Sequence, residues 1–338
     1  MNRLGVSCLL VAGLAGSARA QSVAIEGTHS AGVSTEEVGA LGTQVRVSGE
    51  AGETLRGLRF HIEASWGWRS EEGEEAEEGD FFGTAYPYGG KVDLMETYAE
   101  YPRDRGWVRS IRAGRYRTPF GISSSGDHAY MGFMRAPLIR YGEYYALSNT
   151  YLEHGADVVI GVPRFSVEAS VSKPADVGEA IRRDGVTGVF RAQAAVGSFV
   201  IGSSYLDTTP YLPDTFANGR ARFGGVDVRW MSSGVMLRGE WIGGRPFDGT
   251  STTGGYADVI VHRPVMGPVT AFGRIERLAY DSIPPFDLYT HRYTGGARVR
   301  VWRTIAVSAG LVHQAGQQTQ ARRTALDLGL TGSWRRNF

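Results

Sequence analysis

Apolar and polar positions alternate through the last stretch of the chain. The even positions from Thr324 read Thr324, Leu326, Leu328, Leu330, Gly332, Trp334, Arg336 and Phe338, and the odd ones Ala325, Asp327, Gly329, Thr331, Ser333, Arg335 and Asn337. Successive side chains on a strand point to opposite faces, so this segment is a ribbon, apolar on one side and polar on the other. The same period recurs upstream. Leu58, Phe60, Ile62, Ala64, Trp66 and Trp68 alternate with Arg59, His61, Glu63, Ser65, Gly67 and Arg69. Val226, Val228 and Trp230 alternate with Asp227, Arg229 and Met231, and Val235, Leu237, Gly239 and Trp241 with Met236, Arg238 and Glu240. Segments at Phe165–Ser172, Ala297–Val301 and Ile305–Leu311 repeat it, whereas helical spacing hardly appears.

The connections alternate in length. Short turns are expected around Ala51–Thr54, Pro102–Gly106, Pro163–Arg164, Gly197, Ser232–Gly234, Pro264–Pro268 and Arg303–Thr304. Between them come Ser70–Gly90, Arg117–His154, Lys173–Asp184, Asp207–Arg220, Arg245–Gly254, Asp281–Thr290 and Ala315–Arg322, which are longer and polar. With first strands near Val23–His29 and Leu41–Gly49, the pattern predicts roughly sixteen strands, the even number, strand length and loop rhythm of an outer-membrane barrel. A soluble sandwich has no reason to keep long and short connections in rotation. The expected fold is therefore all-β: a transmembrane antiparallel β-barrel with a long loop folded into its lumen. A closed sheet satisfies every backbone polar group in hydrocarbon without leaving an edge. Aromatics near strand ends, among them Trp66, Trp107, Trp230, Trp302 and Trp334, fit interfacial girdles. An alternating strand that closes on Phe338 resembles the signal read by the barrel-assembly machinery, which is an expected partner.

Composition narrows the setting. A basic start, the apolar run Leu9–Leu14 and the small-residue site Ser17–Ala20 predict a secretory signal over residues 1–20, with a single barrel domain over 21–338. The one cysteine, Cys8, falls in that signal, so disulfides and cysteine-bound metals are not expected. Without Arg3 and Arg19 the chain keeps 34 basic residues against 35 acidic ones, a balance that argues against a nucleic-acid partner. Lys91 and Lys173 are the only lysines. The expected location is the outer membrane of a Gram-negative cell, in contact with its lipid and lipopolysaccharide.

A barrel of this size leaves an aqueous channel, whereas about eight strands leave an interior that side chains fill. The polar face carries Arg59, Glu63, Asp227, Arg229, Arg238, Glu240, Arg274, Glu276, Arg298 and Arg300. Burying so many charges in a dry core would cost several kcal/mol each unless paired, and a wet lumen removes that cost. An inter-strand salt-bridge ladder is the other reading of the same residues. The connection Arg117–His154 is unusually aromatic (Phe120, Tyr130, Phe133, Tyr141, Tyr144, Tyr145) and is the expected pore loop, with His128, Arg135 and Arg140 as constriction charges. An ordered external cap or a trimer contact is the alternative.

Two stretches carry a family resemblance. Leu94-Met95-Glu96-Thr97-Tyr98-Ala99-Glu100-Tyr101, followed by Ile111-Arg112-Ala113-Gly114-Arg115-Tyr116-Arg117-Thr118-Pro119-Phe120-Gly121, resembles the paired strands of the phosphate-selective porin group. Leu237–Trp241 and Ala271–Leu278 are similar to later strands of that group. The resemblance implies a sixteen-stranded, usually trimeric porin, general or anion-preferring, with Glu96, Tyr98, Glu100 and Arg115 facing the lumen. The family's phosphate selectivity relies on a ladder rich in lysine and arginine. With two lysines here, that specificity is not carried over.

The acidic run Glu71–Asp80 reads either as a divalent-cation bridge to lipopolysaccharide or as a solvated loop. Ser123–Ser125, Asp127 and His128 cluster in one loop, but a catalytic triad is recognised by geometry, not by proximity in sequence. No Gly-x-Ser-x-Gly elbow, metal-ligand pair or phosphate loop is present, so neither catalytic residue nor cofactor is expected. The favoured function is passive diffusion of small hydrophilic solutes, weakly preferring anions. A plugged binding or structural barrel comes next, and an outer-membrane hydrolase last.

Overall fold

The computed structural model of the chain describes residues 22–36, 39–51, 57–70, 92–103, 106–122, 132–140, 152–174, 185–208, 220–245, 251–262, 268–281, 287–316 and 323–338. The expected signal segment and the acidic run Glu71–Asp80 lie outside them. The strands are β1 (Ser22–Ser34), β2 (Gly39–Glu50), β3 (Arg59–Arg69), β4 (Val92–Pro102), β5 (Val108–Arg117), β6 (Leu152–Val162), β7 (Phe165–Pro174) and β8 (Thr187–Val196). They continue as β9 (Phe199–Thr208), β10 (Ala221–Met231), β11 (Val235–Arg245), β12 (Ser251–Val261), β13 (Val269–Asp281), β14 (Asp287–Arg300), β15 (Ile305–Gly316) and β16 (Arg323–Asn337). Each pairs antiparallel with its neighbours in sequence, and β16 returns to β1, from Ala24↔Asn337 to Ser34↔Asp327. The barrel is closed, so no strand edge is left unpaired.

Alternation places the faces as the sequence predicts. On β16, Leu326, Leu328 and Leu330 are exposed on the outside, while Ala325, Asp327 and Thr331 are buried on the inside. The outward positions of β9–β12 (Ile201, Val226, Val228, Leu237, Trp241 and Val259) are likewise exposed and apolar, and the same belt runs around the whole sheet. Monomeric soluble proteins rarely expose a contiguous apolar surface of this extent.

Two expectations about the strands change. The alternation of connection lengths is broken at the first connection. β1 runs on to Ser34 because Val33 still pairs with Gly39 and Leu328, leaving only residues 35–38 between β1 and β2 on the side of the longer connections. In β5, where the pattern allows either face inward, Arg112 and Tyr116 take the inside. Tyr116 shares a 2.8 Å hydrogen bond with the hydroxyl of buried Ser170 on β7.

Candidate functional site

The inner face is a charge ladder. Arg238 on β11 donates to Asp258, directly opposite on β12 (2.7 Å), and Arg274 on β13 holds the same carboxylate through two nitrogens (2.6 and 3.0 Å). Glu276 accepts two bonds from Arg292 across β13 and β14 (2.7 and 3.1 Å). Arg191 on β8 reaches over β9 to Asp227 on β10 in the same two-pronged fashion (2.7 and 3.1 Å). The bridge crosses at Gly202, where a Cβ would lie 2.4 Å from Asp227 Oδ2, so the absence of a side chain lets the two charges meet. Such planar bidentate pairs are the stronger kind of charge-assisted hydrogen bond.

The opposite wall has its own network. Arg46 donates to Glu63 directly across β2 and β3 (2.8 Å), and Arg117 joins Glu63 to Glu96. Arg112 bonds Asp157 and Glu168, with its guanidinium 4.4 Å from the Tyr116 ring centre and 5.1 Å from that of Tyr98. His61, Glu63 and Glu96 bring their ligand atoms within 4.8 Å of one another, the spacing of a metal site. Arg46 and Arg117 already occupy both carboxylates, which makes the group an ion-pair network.

Two segments of the long connection after β5 lie against this ladder. In the first, Gly121 N donates to Ser204 on β9 (3.1 Å), and Phe120 and Ile122 enter a buried apolar cluster with Val189, Leu206, Phe223 and Ile242. In the second, Phe133 packs on Ile260 and Phe272, and the Arg274 guanidinium sits 4.0 Å from its ring centre. Arg135 donates to Asp327 (2.7 and 2.8 Å), Glu36 (2.8 Å) and Ser34 (3.2 Å), while its carbonyl accepts from Arg274. The Ala136 carbonyl accepts from Arg292, and Leu138 N donates to Glu276 (2.8 Å) at the start of a 3₁₀ turn, Leu138–Arg140. Backbone groups of the segment thus complete the wall's arginines and carboxylates.

The sequence-derived site residues fall into groups. Glu96 and Glu100 stand on the inner face; Glu96 is tied to Arg117, and Glu100 lies in register with Arg59 and Arg112. Arg238 and Arg274 share Asp258. Arg229 donates to Gln193 (3.2 Å), Arg298 to Thr331 (3.1 Å), and Arg300 is exposed at the end of β14. Arg135, expected as a constriction charge, is 4 % exposed and held by the carboxylates of Glu36 and Asp327. Arg115 corrects the family-based expectation: it pairs in register with Thr97 and His154, on the face opposite to Arg112 and Tyr116. Register with Thr97 and the exposed His154 decides this, whereas Arg117 at the strand end turns inward to Glu63 and Glu96. His128 and the Arg140 side chain lie outside the described residues.

Sequence reasoning missed the apolar docking patch. Val189, Leu206, Phe223, Ile242 and Leu278 sit on the polar face, each near the strand end that leads into a longer connection. Their signal was a single apolar residue interrupting a polar run, such as Ile242 after Arg238 and Glu240. Asp258, Arg292 and Asp327, the partners that neutralise the ladder, were also overlooked as such.

No protein-family profile matches the chain, and no curated protein matches it in sequence. Solved structures do share its fold. They include Salmonella typhi OmpF in complex with daunomycin (12% identity, 92% of this chain and 97% of that chain, TM-score 0.65). An anion-selective porin from Comamonas acidovorans (13%, 93% and 99%, 0.60) is similar. So is a loop-L8 deletion mutant of OmpT, an outer membrane protein of Vibrio cholerae (10%, 93% and 99%, 0.63). At such identities the likeness establishes the closed sixteen-strand barrel of bacterial outer-membrane porins and nothing finer.

Proposed function

We propose that the chain is an outer-membrane porin through which small hydrophilic solutes diffuse down their gradients. The observation that carries this reading is the pairing of an apolar outer belt with a charged inner face in a closed sixteen-strand barrel. Such a barrel encloses more space than side chains fill. In this reading the connection after β5 narrows the lumen, and the two walls on either side of it carry opposite bias. On β8–β14, Arg191, Arg229, Arg238, Arg274, Arg292, Arg298 and Arg300 outnumber Asp227, Glu240, Asp258 and Glu276. On β1–β7, Glu26, Glu63, Glu96, Glu100, Asp157 and Glu168 outnumber Arg46, Arg59, Arg112 and Arg117. Arg229 and Arg300, which pair with no carboxylate among the described residues, support a weak preference for anions. Residues 1–20 direct export and are cleaved, Phe338 is read by the assembly machinery, and the barrel works as a homotrimer without a cofactor. A trimer form of OmpT is among the similar structures.

A second reading, a plugged binding barrel, is favoured by the buried contacts of residues 118–122 and 132–139 with the wall. Single-channel conductance in planar bilayers, with reversal potential under a KCl gradient, separates the two. Discrete steps with an anion-favouring potential support the porin; a folded, heat-modifiable barrel that never conducts leaves the plugged barrel.

A further inference from the structure

The outward face carries a groove that solute diffusion does not use. Gly239 and Ala257 oppose each other on β11 and β12, and Gly273 and Gly295 on β13 and β14, all facing out. Around these small residues stand Trp241, Ile275, Tyr293 and Leu311. Two cavities result, of about 780 and 560 Å³, joined along Val228, Gly239, Ala257, Ile275 and Tyr293. Both volumes lie in the range of small-molecule sites. The floor is open: a Cβ at Gly295 would meet nothing within 4 Å.

The groove has a polar end. Arg277 and His291 pair in register across β13 and β14, on the side of the longer connections, and both line the cavity. Arg277 is exposed beside the apolar Ile275 and makes no ion pair among the described residues. A cation there is costly unless it meets water or an anion. In barrels of this kind the longer connections are external, which puts Arg277 at the level of the outer-leaflet headgroups.

We infer that the groove binds one phosphorylated glycolipid of the lipopolysaccharide type, an acyl chain lying over Gly239, Ala257, Gly273 and Gly295 and a phosphate held by Arg277 beside His291. The inference rests on the outer-membrane placement proposed above. Guanidinium and phosphate match as two parallel hydrogen bonds, and a floor of small residues lets a chain lie flush against the sheet. A second copy of the barrel is the less favoured occupant because it would have to supply an acid to Arg277. Among the described residues, the outward carboxylate of Asp207 is already held by Arg220 and Arg222.

The test is native mass spectrometry of the full barrel titrated with lipid A and, separately, with phosphatidylglycerol, with conductance recorded on the same preparations. Gly295→Trp fills the groove, Arg277→Ala removes the cation, and Gly332→Trp adds the same bulk outward on β16, away from the groove. Unaltered protein and Gly332→Trp are expected to retain one lipid A, whereas Gly295→Trp and Arg277→Ala need about tenfold more of it, the equivalent of one charge-assisted contact. Conductance stays the same in all of them. Equal retention in every variant overturns the site, as does equal retention of phosphatidylglycerol. Unchanged lipid A uptake with a broken oligomer in Gly295→Trp overturns it in favour of a second copy. Absence of conductance throughout strikes at the porin reading and leaves the lipid result to stand by itself.

Discussion

Two ion-pair groups on the inner face differ in how their charges are kept. On β8–β14 the ladder is dry: Arg238 and Arg274 are 4 % and 3 % exposed, and Arg292 is fully buried beneath the segment 132–139. On the β1–β2 side the side chains of Arg46 and Glu26 are 35 % and 32 % exposed at a separation of 3.8 Å. One ladder therefore works as architecture, because removing a partner strands a charge in low dielectric. The Glu26–Arg46 pair is screened by water and salt and contributes little, although Glu63 and Asp157 further along the same wall are buried. What separates them is the chain laid over the first wall, whose backbone carbonyls and amides finish the hydrogen bonding that the wall leaves open.

The comparison is most severely tested at Asp258, which two buried arginines share. Asp258→Ala is expected to cost about 3–5 kcal/mol, seen as a lower denaturant midpoint by tryptophan fluorescence. A cost within the range of an exposed pair would mean that this wall is wet. Next comes Arg135→Ala, which leaves Asp327 uncompensated and unties the segment from β16 and β1. Here a loss of about 3 kcal/mol should accompany larger, noisier single-channel steps; unchanged steps would detach the segment from the solute path. Tyr116→Phe removes the bond to Ser170, and its expected cost is about 0.5–1.5 kcal/mol by the same assay. At the small end, Glu26→Gln should change stability by no more than about 1 kcal/mol, with the difference fading in high salt. Were Glu26→Gln to cost as much as Asp258→Ala, the contrast between the two groups would disappear.

Much of the fold was legible in single strands. The alternation in Thr324–Phe338 and Leu58–Arg69 assigned inside and outside correctly, because a side chain's face on a strand depends on its parity alone. The inner placement of Asp227, Arg229, Arg238, Arg274, Glu276 and Arg298 followed from it. The site was less legible. Arg115 went to the wrong face because the alternation in β5 allows either face inward and only the motif resemblance chose one; cross-strand register chooses the other. The partners of Arg135 were not legible because Glu36 and Asp327 come from opposite ends of the chain, Asp327 lying 192 residues away.

By itself the sequence determined an all-β barrel of roughly sixteen strands with an apolar exterior and a charged interior. Those properties follow from period two and from turn spacing, and both are local. Tertiary structure alone decided which arginine meets which carboxylate, and that Ile242, Phe223 and Leu206 form a seat for Phe120 and Leu138 inside an otherwise polar wall. It also left small residues on β11–β14 side by side to open a groove on the outer face. Each of these depends on register between strands and on closure of the sheet, which bring together residues that no periodicity along the chain relates.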